Sequence, residues 1–320
     1  MLLANDGAEI ICNESGDIPI RMSRMEHTNK IRGALKYAEP MAGHTSWRTG
    51  GIADEYFEPA DLQDLCLYLA TCANDKELLW LGLGSNLLVR DGGFRGTVIA
   101  YSKALNEIEI QPDGYINVEA GVPCAKVARA SAKAGYTGAE FLAGIPGTIG
   151  GALAMNAGAF GGETWNVVNR VKTINRAGNI KDRMRSEFNI AYRSVHLPDE
   201  EWFVSAEIEL RTGRKEESEK RIKEFLDKRS ESQPMGLPSC GSVFRNPPGD
   251  HAARLIEQCG LKGKKIGKAC VSEKHANFII NMGSATSEDI ENLILLARET
   301  VYETHGIKLE PEVKIVGEKK

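Results

Sequence analysis

GIPGTIGGALAMNAGAFGG, residues 144 to 162, carries seven glycines, and a shorter echo, LGLGSNLLVRDGGFRG, runs from Leu81 to Gly96. A residue without Cβ reaches positive φ cheaply and leaves its N–H uncovered, so successive amides can line a concave surface that attracts phosphate oxygens. One such run is as readily a set of tight turns, because glycine and proline punctuate every fold. Two runs in one chain, both bearing Ser, Thr or Asn and both poor in acid, favour a bound diphosphate.

Neither run fits the commonest phosphate fingerprints. A dinucleotide-binding turn needs a third fingerprint glycine and an immediate helix, whereas Gly82 and Gly84 are followed by Leu87. A P-loop needs Gly-Lys-Ser/Thr, and after Gly147 the chain reads Thr148, Ile149, Gly150, Gly151. What remains is a nucleotide cofactor held by amides and small side chains in another fold.

At 320 residues, 42% of them hydrophobic, the chain has material for two or three domains. A net charge of −4 argues against nucleic acid as a generic partner. No stretch approaches the ~18 apolar residues of a membrane span, and MLLANDGAEIIC lacks the pattern of an export leader. The expectation is a cytoplasmic protein with no membrane partner. Seven cysteines (12, 66, 72, 124, 240, 259, 270) form no CxxC pair, so free thiols and no metal are expected.

Residues 1–33 show no sustained period and receive no function. From Asp54 the pattern becomes regular: extended DEYFEP, a helix LQDLCLYLATCA capped by Asp61, then a buried strand LLWLGL, in β-α-β order. EIEIQPDGYINVEA reads as a hairpin around Asp113-Gly114. Pro123 opens a helix CAKVARASAKA that Gly135 closes, and ALAMNA after Gly151 reads as a small-residue helix whose N-terminus would face an anion. VNRVKTIN and NIKDRM flank a turn at Arg176-Ala177-Gly178, and WFVSAEIEL alternates as a strand. RTGRKEESEKRIKEFLDKRSESQP is a charged helix with a thin stripe at Ile222, Phe225 and Leu226, consistent with a linker entering a new domain. Strand-like GSVF, a helix HAARLIEQCG, a strand NFIIN and a helix from about Ser287 to Thr304 follow, and PEVKIVG ends the chain as a strand. The stripe Ile290, Leu293, Ile294, Ala297, Val301 reads as core.

Three polar residues break these patterns, and each has a bland reading. Ser242, after Cys240-Gly241, taken alone is a turn serine; Arg193 a solvated surface charge; Glu312 a residue on the strand face opposite the core. Ser242 lies in no GxSxG elbow, which argues against a serine hydrolase.

Taken with the glycine runs, these segments resemble the family of UDP-N-acetylenolpyruvoylglucosamine reductases (MurB). The hallmarks appear in order: TSWRTGG at 45 to 51, LGLGSNLLVRDGGFRG, AGIPGTIGGALAMNAGAFGGE, AYRSV around Arg193, RSESQP at 229 to 234, CGSVFRNP at 240 to 247, KHANFIIN at 274 to 281 and LEPEVKIVG at 309 to 317. The first three also suit other flavoproteins of the same fold, while the last five point to this reductase.

The resemblance implies an α+β protein: a two-domain FAD-binding fold of the vanillyl-alcohol-oxidase/PCMH type plus a C-terminal α+β substrate domain. The implied divisions are 34–100, with 309–320 returning to it; 101–215; and 216–308 over the substrate. It implies non-covalent FAD, contacted by Gly82, Gly84, Ser85, Asn86 and Leu87 from the first run, and by Gly144, Ile145, Pro146, Gly147, Gly150, Gly151 and Asn156 from the second. The family reaction reduces UDP-N-acetylglucosamine enolpyruvate with NADPH as co-substrate, giving UDP-N-acetylmuramate for peptidoglycan. Carried over by motif, Arg193 stabilises the charge left by hydride addition, Glu312 shares that role through hydrogen bonding, and Ser242 protonates C2. Tyr192, Arg229, Gln233, Asn246, His275 and Lys314 match positions that contact the sugar nucleotide. A monomer is expected.

One departure stands out. A branch of the family closes its site with a loop tyrosine, and this chain has no Tyr from Arg211 to Arg229, so it resembles the branch lacking that loop. Two rivals make distinct demands. An alcohol- or sugar-oxidising flavoprotein of this fold would usually carry a His or Cys for covalent flavin, and none lies between Leu81 and Gly121; a silent nucleotide-sugar binder would be expected to have lost Arg193, Ser242 or Glu312.

Overall fold

The β-α-β text begins the folded chain. Strands β1 (Ala34–Pro40) and β2 (Ile52–Glu58) pair antiparallel, helix α1 (Leu62–Thr71) crosses over, and β3 (Leu78–Leu81) returns. After β4 (Leu87–Val89), strand β5 (Phe94–Ala100) inserts between β2 and β3, parallel to both. Asp61 caps α1 by accepting from the Asp64 N–H at 2.9 Å. This computed structural model describes residues 31–198 and 200–320; Cys12, the opening MLLANDGAEIIC and the rest of the expected extension before Ile31 lie outside them.

A second, antiparallel sheet is built on the predicted hairpin, β6 (Ile108–Ile110) and β7 (Tyr115–Glu119), with Gly114 at φ +92° in its turn. The long strand Glu201–Glu209 joins β7, followed outward by Val168–Asn175 and Ile180–Met184. Helix α2 (Cys124–Lys133) ends at Gly135, φ +82°, and α3 (Ile149–Ala154) lies within the second glycine run. The two sheets meet over a shared core of Phe57, Leu65, Ile99, Ile174 and Val204, with Trp80 stacked on Trp202 at 5.0 Å. That seam fixes the two glycine runs relative to each other.

Helix α4 (Lys215–Ser232) departs from expectation. Its stripe of Ile222, Phe225 and Leu226 joins the core of the second sheet, so the helix packs back on that unit, and the expected division at 216 falls inside it. The C-terminal unit comprises α5 (Ala252–Gln258), a small sheet of Lys265–Ile266, Ala269–Val271 and Ile279–Asn281, and α6 (Ser287–His305), whose predicted stripe is buried. GSVF forms no strand; it is an extended segment in which Val243 donates to Asn277 O and accepts from the Glu312 N–H at 2.7 Å. The final strand, Lys314–Val316, pairs parallel with β4.

Two motifs turn out to dock this unit. The fully buried Trp47 donates its indole N–H to Ile279 O at 2.7 Å, and Asn281 donates back to Trp47 O. Arg90 pairs with Glu291, while the Asp91 carboxylate accepts the Ser287 and Glu288 N–H groups at the start of α6. These residues of TSWRTGG and LLVRDGG hold domains together; they do not face a ligand.

Candidate active site

The two glycine runs face each other across a cleft of about 770 Å³, completed by segments 240–246 and 311–314. Glycine is required on its walls for different reasons. At Gly82 a Cβ would stand 2.6 Å from Thr148 Oγ1, and at Gly84, φ +62°, it would reach 2.0 Å from His44 O. Gly147 is open on the cleft side, with only Ser85 Oγ at 3.4 Å.

Accounting for the amides shows which are free. Ile149 N–H is given to Val122 O, Gly150 N–H to Ala120 O at 2.7 Å and Gly151 N–H to the Thr148 hydroxyl at 3.3 Å, so the first turn of α3 is already satisfied. The expectation that the N-terminus of this helix meets the anion is corrected. Among the described residues, the N–H groups of Gly82 to Asn86 and of Gly147 and Thr148 have no protein acceptor. They border the cleft, where unpaired amides can receive an anion.

The cleft brings together Gly82, Gly84, Ser85, Asn86 and Leu87 with Gly144, Ile145, Pro146, Gly147 and Gly151. It adds Arg193, Ser242 and Glu312, and also Arg229, Gln233, Asn246 and Lys314. Four expected residues do not line it. Gly150 packs behind the wall, where a Cβ would stand 2.8 Å from the Tyr101 hydroxyl. Asn156, buried at φ +46°, donates to Glu163 and Ala191 O and accepts from Trp165 N–H, bracing the loop. Tyr192 is 48% exposed with the Arg193 guanidinium over its ring, and His275 sits edge-on to Phe278 with Nδ1 buried and unpartnered. The Asn86 amide donates to Glu312 O at 3.0 Å, so it positions that segment instead of offering a donor to phosphate.

Arg193 sits at φ +54° in the turn of a hairpin, Asn189–Ala191 with Ser194–His196. Its guanidinium is aimed by Gly158 O at 2.8 Å and Asn156 O at 3.4 Å. Nε lies 3.3 Å from Glu312 Oε2, an ion pair whose angle is poor for a hydrogen bond, which leaves the buried Nε without a hydrogen-bond partner. Burial pushes the Glu312 carboxyl above the usual carboxylate range, and the nearby Arg193 and Arg245 only partly oppose it. The alternation that put Glu312 opposite the core thus aims it into the cleft, while Val313 is buried.

Ser242 follows Gly241, φ +73°, and its hydroxyl makes no hydrogen bond among the described residues. Arg229 donates to Gln233 Oε1 at 3.0 Å, has no carboxylate within 4.0 Å among the described residues, and is held below the ordinary guanidinium range by burial. A desolvated cation without an acid is poised for an anion from outside. Sequence reasoning left Thr148, Phe160 and Arg245 unassigned, yet all three line the cleft. Arg245 lay inside the quoted CGSVFRNP, so its charge was the available signal.

Residues 53–182 match the family model of an FAD binding domain, and residues 233–316 match that of the UDP-N-acetylenolpyruvoylglucosamine reductase C-terminal domain. The UDP-N-acetylenolpyruvoylglucosamine reductase of Methylococcus capsulatus is 55% identical over 93% of this chain and 98% of its own length. This chain belongs to the UDP-N-acetylenolpyruvoylglucosamine reductase family. The enzyme of the same name from Alkalilimnicola ehrlichii is 54% identical over 89% of this chain and 96% of its own. The crystal structure of UDP-N-acetylenolpyruvylglucosamine reductase (MurB) from Thermus caldophilus superposes with a TM-score of 0.75 at 32% identity, covering 89% of this chain and 98% of that one. The fold is therefore α+β, an FAD-binding part joined to the reductase's C-terminal domain, as expected. Between Glu201–Glu209 and α4 only 210–214 intervene, and no helix among the described residues is long and apolar enough to cross a membrane.

Proposed function

We infer that the cleft carries out the NADPH-dependent, FAD-mediated reduction of UDP-N-acetylenolpyruvoylglucosamine to UDP-N-acetylmuramate, a step of peptidoglycan precursor synthesis. The observation that carries the reading is the Arg193–Glu312 pair set in the same cleft as a cradle of unpaired amides. The residues present fit FAD: Gly82 to Asn86, Gly147 and Thr148 supply free donors for a diphosphate, and Gly147, open on the cleft side, puts no side chain in its path.

FAD, when bound, stores the electron pair from NADPH between ligands and supplies it as hydride to C3 of the enolpyruvyl group. The chain's own residues handle the charge and proton that remain. Negative charge develops at C2 and is delocalised into the substrate carboxylate, and Arg193, held by two carbonyls, presents a fixed guanidinium to it. Glu312, with its pKa raised, retains a proton to higher pH than an ordinary carboxyl and can donate a hydrogen bond to the same charge. Ser242 gives its hydroxyl proton to C2, and water restores that proton to the serine oxygen. Arg229, Gln233, Asn246 and Lys314 hold the sugar nucleotide's anionic groups. Tyr192 and His275 stand outside this set, Tyr192 against Arg193 and His275 against Phe278.

Both reactants are cytosolic metabolites, which supports a cytoplasmic enzyme. The short 210–214 connection supports the branch without the tyrosine loop. We also read the units as 34–100 with 309–320, 101 to the end of α4, and the remainder over the substrate.

The testing variant is Ser242→Ala. Bleaching of the flavin by NADPH should survive, while anaerobic recovery of colour on adding the enolpyruvyl nucleotide should slow by about 10²–10⁴-fold, the range for loss of a positioned proton donor. Unchanged recovery in the variant sinks the role of Ser242; recovery of the wild type by simple ketones sinks the substrate.

A further inference from the structure

A second groove, of about 1230 Å³, shares no residue with the cleft. Three exposed arginines reach it from separate elements: Arg185 from the turn after Ile180–Met184, Arg211 from the short pair of Arg211–Thr212 with Tyr136–Thr137, and Arg221 from α4. None has a carboxylate within 4.0 Å among the described residues. The neighbouring acids are taken, Glu187 by Arg183 at 3.0 Å and Glu217 by Arg214 at 3.1 Å, and the single acid on the groove is Glu209.

Between the arginines apolar side chains stand beside polar ones, Ser186 and Asn169 among them. Met184 is half exposed, and Phe188, Ile190 and Leu210 form the floor. Asn166 and Asn189 stand exposed along the edge with no side-chain hydrogen bond among the described residues, offering amides to a passing backbone. A compact anion such as phosphate is matched by donors converging on one point. Here the cations come from three separate elements around a groove of about 1230 Å³ with apolar side chains among them, which a compact anion would leave wet. An extended chain that alternates acidic and apolar side chains satisfies cations, floor and amides together. Because the molecule as a whole carries −4, the attraction is local to this groove.

We propose that the groove docks an acidic peptide segment of a partner protein, anchored by apolar side chains between the arginines. The site is independent of the reductase cleft.

The test titrates FAD-loaded enzyme into a fluorescein-labelled peptide alternating glutamate with leucine and reads anisotropy. Binding should appear, weaken as salt rises, and be indifferent to saturating enolpyruvyl nucleotide. Arg185→Glu, Arg211→Glu and Arg221→Glu combined should keep flavin content and turnover yet bind the peptide at least roughly tenfold more weakly. All three are exposed, so the fold should tolerate the exchange. No binding by the wild type, or equal binding by the triple variant, overturns the proposal. Tighter competitive binding of inositol hexakisphosphate or of oligothymidylate assigns the groove to a compact polyanion or a nucleic acid and equally overturns it.

Discussion

Arg193 Nε stands 3.3 Å from Glu312 Oε2, an ion pair that joins the separate two-stranded hairpin 189–196 to the segment leading into the last strand. The arginine is fixed from behind by Gly158 O and Asn156 O, so its fork cannot follow a retreating substrate. Lysine carries its donors on one nitrogen and cannot span the two carbonyls, which here bond separate guanidinium nitrogens, while presenting a planar fork to a carboxylate. Arg193→Lys should therefore leave flavin bleaching by NADPH intact and slow reoxidation by the sugar nucleotide about 10²–10³-fold, the cost of losing one preorganised donor. Stopped-flow measurement of the two half-reactions separates them; equal slowing of both would mean that the arginine serves cofactor binding instead.

Gly84 and Gly147 divide the cradle into a structural and a ligand-facing part. At Gly84 a side chain meets His44 O at 2.0 Å in a left-handed backbone, whereas at Gly147 it projects into open space. Gly84→Ala should lower the unfolding midpoint of the apoprotein. Gly147→Ala should leave that midpoint unchanged while raising the Kd for FAD roughly tenfold, as expected for weakening one charge-assisted hydrogen bond. Flavin fluorescence titration beside thermal melts decides it, and unaltered FAD affinity in Gly147→Ala would remove that amide from the cradle.

His275 predicts a pH effect away from catalysis. Burial holds its imidazole pKa below the ordinary value, with Lys262 adding to the shift and Glu257 opposing it. Below about pH 6.5 the unfolded chain takes up a proton that the folded ring resists, so the unfolded state binds more protons and stability falls as pH falls through that window. His275→Gln should flatten the loss in urea midpoint between pH 7 and pH 5 relative to the wild type. KM for the sugar nucleotide should not move, because the ring lies off the cleft; a large rise in KM would return His275 to the substrate contacts.

The ordered motifs carried the family, the cofactor and the meeting of Arg193, Ser242 and Glu312, because each lies inside a short run whose spacing is local. What the motifs did not carry depends on distant packing. Gly150 reads like its neighbours in the run, yet its lack of a Cβ is demanded by Tyr101 and Ala120, residues from other segments. Asn156 looks like a cradle amide but spends its side chain on Glu163, Ala191 and Trp165. The charged α4 resembles a linker because its stripe is thin, and only the presence of the α2 core beneath Ile222 places it with the second sheet. The GSVF segment has strand composition, but its neighbours bond it singly from two sides, so no ladder forms.

Asp91 shows the same ambiguity from the other side. It stands in a glycine-rich run, as a ligand-binding acid might, but its two carboxylate oxygens accept the Ser287 and Glu288 N–H groups at 3.0 and 2.9 Å, and Ser287 Oγ donates to Val89 O at 2.6 Å. The acid caps α6 across a domain boundary, where it also faces the positive end of the helix. Asp91→Ala should destabilise the protein by about 1–2 kcal/mol, the range for losing an N-terminal cap, while the Kd for FAD in the folded protein stays the same. Urea unfolding followed at the C-terminal unit, with FAD titration under native conditions, tests both halves. A variant of unaltered stability that releases its flavin would transfer Asp91 from the helix to the cofactor.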